Sequence, residues 1–332
     1  MFESIKYSSD DLRVILRNTA VKMSINEAVV EKDYWVSFIL EYLFHHCEYK
    51  DRFAFKGGTS LSKCYNIIER FSEDIDLILD WRVLGYDIYE PWEERSATKQ
   101  HKFNKESNKR VEDFIGYKLI KIMDEYLSEL LDTDYELTID EEDPQTILFH
   151  YPTVFHSSYL AQSIRIEVGV LAAWTPSKIE TIVPYAYDFY PHVFSGDKVE
   201  VKTVSPLRTF WEKATILHHE ANRPINLNMP HRYARHYYDL YCIGKSEYGR
   251  LIHENLELLE QVVRFKEKFY PRRWAKYEEA TSKKIKLVPN NHRLEELKRD
   301  YLQMEEMFFG EHPSFDELIA EIEKLEKEIH SI

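Results

Sequence analysis

Between Phe71 and Leu79 the sequence reads Phe-Ser-Glu-Asp-Ile-Asp-Leu-Ile-Leu, and few local structures accommodate that pattern. In a β-strand alternate residues share a face. Ser72, Asp74 and Asp76 then project to one side, while Ile75, Leu77 and Leu79 project to the other, toward a core. A strand is therefore predicted over Phe71–Leu79, with two carboxylates together on one face. Such a pair repels itself unless a cation lies between. Oxygen ligands of this kind suit Mg²⁺ (or Mn²⁺), which takes one or two carboxylates and completes its shell with waters and substrate phosphates. A pair of such ions, roughly 3.5–4 Å apart, activates an attacking oxygen and stabilises a leaving one in phosphoryl chemistry. The competing reading is an exposed edge strand with two solvated acids.

Upstream stands Lys56-Gly57-Gly58-Thr59-Ser60-Leu61-Ser62-Lys63, after a short strand at Phe53-Ala54-Phe55. Adjacent glycines let a backbone approach a ligand closely and adopt conformations barred to other residues. Thr59 or Ser60 is placed to cap the next helix, whose amides and dipole favour an anion. Gly57, Gly58, Thr59 and Ser60 are thus a candidate triphosphate cradle, although Gly-Gly turns also have purely structural uses. A third acid is sought on Ser163–Leu171, where Ile164, Ile166, Val168 and Val170 alternate with Arg165, Glu167 and Gly169. Glu167, central on a strand whose opposite face is apolar, is the candidate third ligand or base. Its alternative is a simple pair with Arg165.

The rest of the chain sorts into two regions. An apolar helix is expected over Asn26–Phe44, with Val30, Tyr34, Phe38 and Tyr42 at helical spacing, and another from the glycine turn to about Glu69. A polar helical stretch follows over Pro91–Leu131. Strands are expected near Tyr135–Ile139, Thr146–Phe155 and Val199–Val204. From Pro206 the pattern is helical almost to the end, closing with an amphipathic helix at Ser314–His330. Mixed strands and helices followed by helices alone predict an α+β chain: a mixed-sheet domain over 1–205 and a helical domain over 206–332.

Nine glycines among 332 residues leave few tight turns or flexible linkers. With 31% charged residues and no apolar run near the roughly 18–20 residues of a spanning helix, no membrane partner is expected. Met1-Phe2-Glu3-Ser4 is neither a basic leader nor an apolar signal. Cys47, Cys64 and Cys242 are too few and too scattered for a disulfide framework or a cysteine-based zinc site. Three reduced thiols in a cytoplasmic protein is the resulting expectation.

A net charge of −14 argues against a protein that coats nucleic acid generally. The charge is uneven, however: Arg264–Arg299 holds twelve bases, Arg272, Arg273 and Lys276 among them, against five acids. A solvated helical face explains such a run, and so does a phosphate-backbone footprint. Tyr237, Tyr238 and Tyr270 are candidates for stacking on bases. His218-His219, and His231 with His236, have spacings unsuited to a helical chelate and read as structural or solvent-facing.

Taken together these segments resemble the nucleotidyltransferases of the AbiEii/AbiGii toxin family, within the DNA polymerase β-like superfamily. Lys-Gly-Gly-Thr-Ser-Leu and Phe-Ser-Glu-Asp-Ile-Asp-Leu look like that family's first motif. Val30-Glu31-Lys32-Asp33-Tyr34-Trp35 resembles its N-terminal helix, and Pro206-Leu207-Arg208-Thr209-Phe210-Trp211-Glu212-Lys213 its lysine motif. Arg235-His236-Tyr237-Tyr238-Asp239-Leu240 resembles its last Arg/Asp block. The likeness runs from about residue 28 to 243. It implies that Gly57, Gly58 and Ser60 hold phosphates, that Asp74 and Asp76 bind the metal, and that Lys213 contacts the triphosphate. It further implies that Asp239 belongs to the active site and that Ser72 matches a serine some members place beside the first aspartate.

The residues support the lysine separately. Ser205-Pro206 is a good helix start. On the helix that follows, Leu207, Phe210, Trp211, Ala214 and Leu217 form the buried stripe, with Lys213 flanking it. Arg235 and Asp239, four apart on a helix, also suit a plain ion pair.

The function expected is metal-dependent transfer of an NMP from an NTP to an acceptor. By resemblance the acceptor is RNA, such as a tRNA 3′ end, in a toxin–antitoxin or phage-defence setting with a cognate antitoxin. Nucleotidylation of a small molecule or a protein hydroxyl is a second reading. A catalytically inactive fold used as an interaction module is a third, and intact Asp74, Asp76 and Lys213 argue against it.

Overall fold

The computed structural model describes Phe2, 9–157, 160–170, 175–194, Gly196 and 198–331, with backbone alone for Ser9 and Glu306. The chain forms two compact units, one of Met1–Cys64 and Glu73–Thr203, the other of Tyr65–Ser72 and Val204–Ile332. Its class is α+β, with a mixed sheet followed by a helical C-terminal region.

The first unit opens with helices α1 (Ser9–Met23) and α2 (Glu27–Glu41). Asn26 caps α2 by accepting from the Ala28 amide at 2.8 Å, and a π-helical turn over Tyr42–His46 continues it. From Ala28 to Glu41 every residue of α2 is buried, so the helix is enclosed rather than one-sided. Strand β1 (Phe53–Lys56), helix α3 (Gly57–Lys63) and β2 (Ile75–Leu79) follow, then α4 (Ala97–Phe114), a π-helical turn at Ile115–Leu119 and α5 (Ile120–Leu130). The strands β3 (Glu136–Ile139), β4 (Thr146–His150), β5 (Ile164–Gly169), β6 (Ser177–Ile182) and β7 (Val199–Val204) complete a seven-stranded sheet in the order β3-β4-β5-β2-β1-β7-β6. The centre is mixed: β2 runs antiparallel to β1 and parallel to β5, while β1 runs parallel to β7. Ile75, Leu77, Ile164, Ile166 and Val168 are buried, as the alternation required.

Several boundaries differ from expectation. Helix α3 stops at Lys63, because Asn66 takes a left-handed conformation (φ 50°) and the following segment pairs elsewhere. Within the second unit Phe71 N–H donates to Met307 O at 2.7 Å and Phe309 N–H to Glu69 O at 2.8 Å, so Phe71 does not extend β2. Strand β4 ends at His150, two residues before Pro152, which has no amide for a ladder. The helical stretch expected from Pro91 begins at Ala97. Strand β6 was not anticipated: it lies at the sheet's edge and carries Lys178, Glu180 and Thr181, the polar composition edges favour. Helix α1 also went unanticipated. Leu171, the last residue of one expected strand, lies outside the described residues.

The second unit holds α6 (Pro206–Ala221), α7 (Ala234–Lys245), α8 (Leu256–Phe269), α9 (Leu294–Leu302) and α10 (Phe315–His330). Ser205 caps α6, accepting from Leu207 N–H at 3.3 Å, with Pro206 in its first turn. Ser314 and Glu317 close a reciprocal capping box on α10, which satisfies two amides at the helix start. Helix α6 packs against α7 and α8 with Phe210, Trp211, Ala214 and Leu217 fully buried.

Candidate functional site

In the first unit the sheet register sets three charged side chains in a row. Lys56 on β1 lies opposite Asp76 on β2, and Asp76 lies beside Glu167 on parallel β5. Thr146 on β4 follows on the far side of Glu167. The Lys56 ammonium is 3.8 Å from Asp76 Oδ1, and Arg165 Nε is 3.5 Å from Glu167 Oε1. Arg165 also pairs with Asp140, so its guanidinium is shared. Burial, then the charges of Asp76 and Asp74, push the Glu167 carboxyl up to about 7, against the opposing pull of Arg165 and Lys56. Glu167 thus pairs with Arg165, as one reading had it, and also stands beside Asp76 in the sheet.

Asp74 sits one residue ahead of the β2 ladder, not inside a strand. Its carbonyl accepts from Thr59 Oγ1 at 2.6 Å. The alternation persists nonetheless, since Glu73, Ile75 and Leu77 are buried while Ser72, Asp74 and Asp76 are half-buried. Ser72 belongs to the segment 65–72 of the second unit.

The glycine turn is tied to the same acid. Gly57 has φ +82°, a conformation that side chains disfavour, and a Cβ there would lie 2.7 Å from Asp76 Cγ. Thr59 and Ser60 do not cap the helix, contrary to expectation. Helix α3 starts at Gly57 with Lys56 in the cap position, which places both hydroxyls within the first turn. Both residues are buried; Ser60 Oγ donates to Gly57 O at 2.9 Å, and Thr59 is committed to Asp74.

Among the described residues no group of three His, Cys, Asp or Glu side chains is drawn close enough to enclose a metal by itself. The donor set still fits a hard cation that binds through one or two carboxylates and takes its remaining oxygens from phosphates and water. After burial, the charges of Asp76 and Asp74 are what hold the Glu167 carboxyl above the usual range, and such a cation would offset that repulsion.

In the second unit Asp239 on α7 is completely buried and accepts from two cations. Arg70 grips it in a two-pronged contact, Nε to Oδ1 and Nη2 to Oδ2, both 2.8 Å. Lys213 on α6 lies 2.7 Å from Oδ2. Burial alone would raise the Asp239 carboxyl, but Arg70 and Lys213 outweigh it and hold the group well below the usual range. Burial lowers the Lys213 ammonium, with Asp239 opposing and Arg70 adding to the shift. Lys213 is thus a buried partner of Asp239, not the flanking lysine the helical stripe predicted, because α6 is covered on nearly every side. The expected Arg235–Asp239 pair gives way to Arg70 and Lys213 as the carboxylate's partners. Arg70 escaped the sequence reading; its only signal is its place immediately before Phe71-Ser72. Lys56 escaped it too; it stands at the end of β1 and faces Asp76 through the antiparallel pairing of β1 with β2 across helix α3.

The basic run is only partly a surface. Arg272, Arg273 and Lys276 are exposed, whereas Arg293 is buried and donates to Pro224 O at 3.0 Å and Glu296 at 2.9 Å. Tyr237 and Tyr238 lie in the core and cannot stack on a base without unfolding α7; Tyr270 is 46% exposed. His218 is structural, as expected: Nδ1 accepts from Lys286 N–H at 3.0 Å and Nε2 lies 3.0 Å from Lys276 O.

No curated protein matches the sequence. Among solved structures the chain is similar to MenT4, a nucleotidyltransferase toxin from Mycobacterium tuberculosis H37Rv, at 13% identity and a TM-score of 0.38, covering 88% of this chain and 98% of that one. The family described as nucleotidyl transferase AbiEii toxin, type IV TA system, matches residues 39–321. The chain belongs to the AbiEii nucleotidyltransferase toxin family of type IV toxin–antitoxin systems.

Proposed function

We propose that the protein transfers a nucleoside monophosphate from an NTP to an RNA acceptor, such as a tRNA 3′ end, releasing pyrophosphate and requiring Mg²⁺ or Mn²⁺. The observation that supports this most is the row Lys56–Asp76–Glu167 beside a glycine turn that only glycine fits. Asp74 and Asp76 would hold the cation, which when bound supplies charge neutralisation for the phosphates. Gly57, Gly58, Thr59 and Ser60 form the turn against which phosphates would lie, with Ser72 beside the first aspartate. Glu167, at about 7, is partly ionised near neutral pH and is suited to accept a proton from an attacking hydroxyl. By the family resemblance Lys213 would contact the triphosphate and Asp239, its ion-pair partner, would belong to the active site.

Exposed Arg272, Arg273 and Lys276 favour RNA over a small molecule as the acceptor, since a phosphate backbone is the partner that rewards dispersed surface cations. The setting is that of a toxin with a cognate antitoxin, in the cytoplasm. No helix among the described residues is long and apolar enough to cross a membrane. The test is incubation with each α-labelled NTP, Mg²⁺ and total RNA. Label in RNA that depends on Asp74 and Asp76 supports the proposal; label in the protein itself or in a small molecule redirects it to another acceptor.

A further inference from the structure

Three consecutive charged residues lie inside α2, and each holds a different piece of the first unit. Glu31, Lys32 and Asp33 are 0%, 1% and 3% exposed. Glu31 accepts from the amides of Val154 at 2.6 Å and Phe155 at 2.9 Å. Asp33 pairs with Lys63, the last residue of α3, and accepts from Tyr185 N–H at 2.7 Å. Lys32 Nζ lies 2.5 Å from Glu73 Oε2 and donates to Ala161 O at 2.8 Å. Buried ion pairs are poor sources of stability, and well-packed apolar residues in their place are often neutral or better. Their positions suggest another use.

Glu73 immediately precedes Asp74, and the β2 ladder begins only at Ile75. Asp74 therefore lacks the ladder bonds that fix Asp76. Among the contacts of this stretch, Thr59 Oγ1 donates to the Asp74 carbonyl and Lys32 Nζ to the Glu73 carboxylate. Neighbouring residues of an extended chain point to opposite sides. Drawing Glu73 inward to α2 thus turns Asp74 outward, in keeping with Glu73 being buried and Asp74 half-buried. We infer that Lys32 is a positioning residue, which acts through Glu73 to aim the Asp74 carboxylate at its cation. This role rests on the metal-binding reading of Asp74.

The experiment is Mn²⁺ titration followed by electron paramagnetic resonance, with melting temperatures, on wild type and the double variant Lys32→Met/Glu73→Gln. The double variant removes both buried charges together and is expected to stay folded. Its Mn²⁺ affinity should fall about tenfold or more, the usual effect of losing a group that orients a ligand. Its kcat should fall too, with KM for the nucleotide unchanged. If it does not fold, Lys32→Arg keeps the charge but alters the reach, and the same loss of affinity is expected. A folded variant that binds Mn²⁺ as wild type does overturns the role of Lys32 and leaves the metal site standing. A wild type that binds no Mn²⁺ removes the metal reading and this role with it.

Discussion

Arg70 and Asp239 form a bidentate ion pair in which neither side chain exceeds 3% exposure, and the same carboxylate receives Lys213. One acid therefore balances two cations in the interior of the helical unit. Removing one partner of a buried pair leaves an uncompensated charge and typically costs about 3–5 kcal/mol. Asp239→Ala, which removes the acid both cations share, is expected to destabilise by roughly that much, measured by urea unfolding; Arg70→Ala, which leaves Asp239 paired with Lys213, should cost less. Lys213→Ala should also lower stability, because the lysine is buried and not a free surface group.

The pH dependence of that pair has a definite sign. Arg70 and Lys213 depress the Asp239 carboxyl against the effect of burial, so the unfolded chain takes up its proton first on acidification. The contribution is present above the unfolded value of about 4 and is lost as pH falls through the folded one. Asp239→Asn should flatten the acid limb of the melting-temperature profile below about pH 4. An unchanged limb would show that the pair is not formed as described.

Glu167 behaves in the opposite sense. Its folded-state value is raised to about 7, so the folded protein binds this proton more tightly than the unfolded chain does. Its contribution is fully present below the unfolded value of about 4.3 and is lost as pH rises through about 7. Without metal, wild type should lose melting temperature across that interval, and Glu167→Gln should lose less. Asp76→Asn should bring the Glu167 carboxyl back toward the ordinary range, which carboxylate NMR can follow. Added Mg²⁺ should abolish much of the wild-type decline.

Much of the first unit was legible in the sequence because strand periodicity is a strong constraint. The alternation of Ile164, Ile166 and Val168 with Arg165 and Glu167 is realised in β5, and Glu167 does stand beside Asp76. What was not legible was anything decided by long-range pairing. Asp74 lies outside the ladder, and Arg70 finds its partner 169 residues away. Thr59 and Ser60 turned out to be committed to nearby carbonyls because the helix begins at Gly57, ahead of both hydroxyls, with Lys56 in the cap position. Lys213 looked peripheral on a helical stripe, but α6 is buried almost all round, and no single-face pattern announces that.

Gly57 offers a separate test of how closely the turn approaches Asp76. At φ +82° a side chain costs about 1–3 kcal/mol in strain alone. In Gly57→Ala the new methyl group would also displace the Asp76 carboxylate. Destabilisation of at least that strain cost is expected, together with weakened Mn²⁺ binding, by unfolding and titration respectively. Wild-type stability and metal affinity would contradict the close approach.

The exposed cations of the helical unit predict a salt signature. Changing Arg272, Arg273 and Lys276 to Glu should weaken RNA binding and reduce the slope of log affinity against log salt by roughly 0.7–0.9 for each phosphate that is no longer neutralised. Nucleotide affinity should stay constant. Identical slopes for wild type and variant would shift the acceptor away from RNA.

The most direct test of the central claim is transfer of label from an α-labelled NTP to RNA by wild type, Asp74→Ala and Asp76→Ala, each checked for folding by circular dichroism. Wild type should label RNA in the presence of Mg²⁺ and not in the presence of a chelator, and both variants should fall to background while remaining folded. Undiminished transfer by either folded variant would contradict the assignment of these two carboxylates as the metal-binding centre of a nucleotidyltransferase.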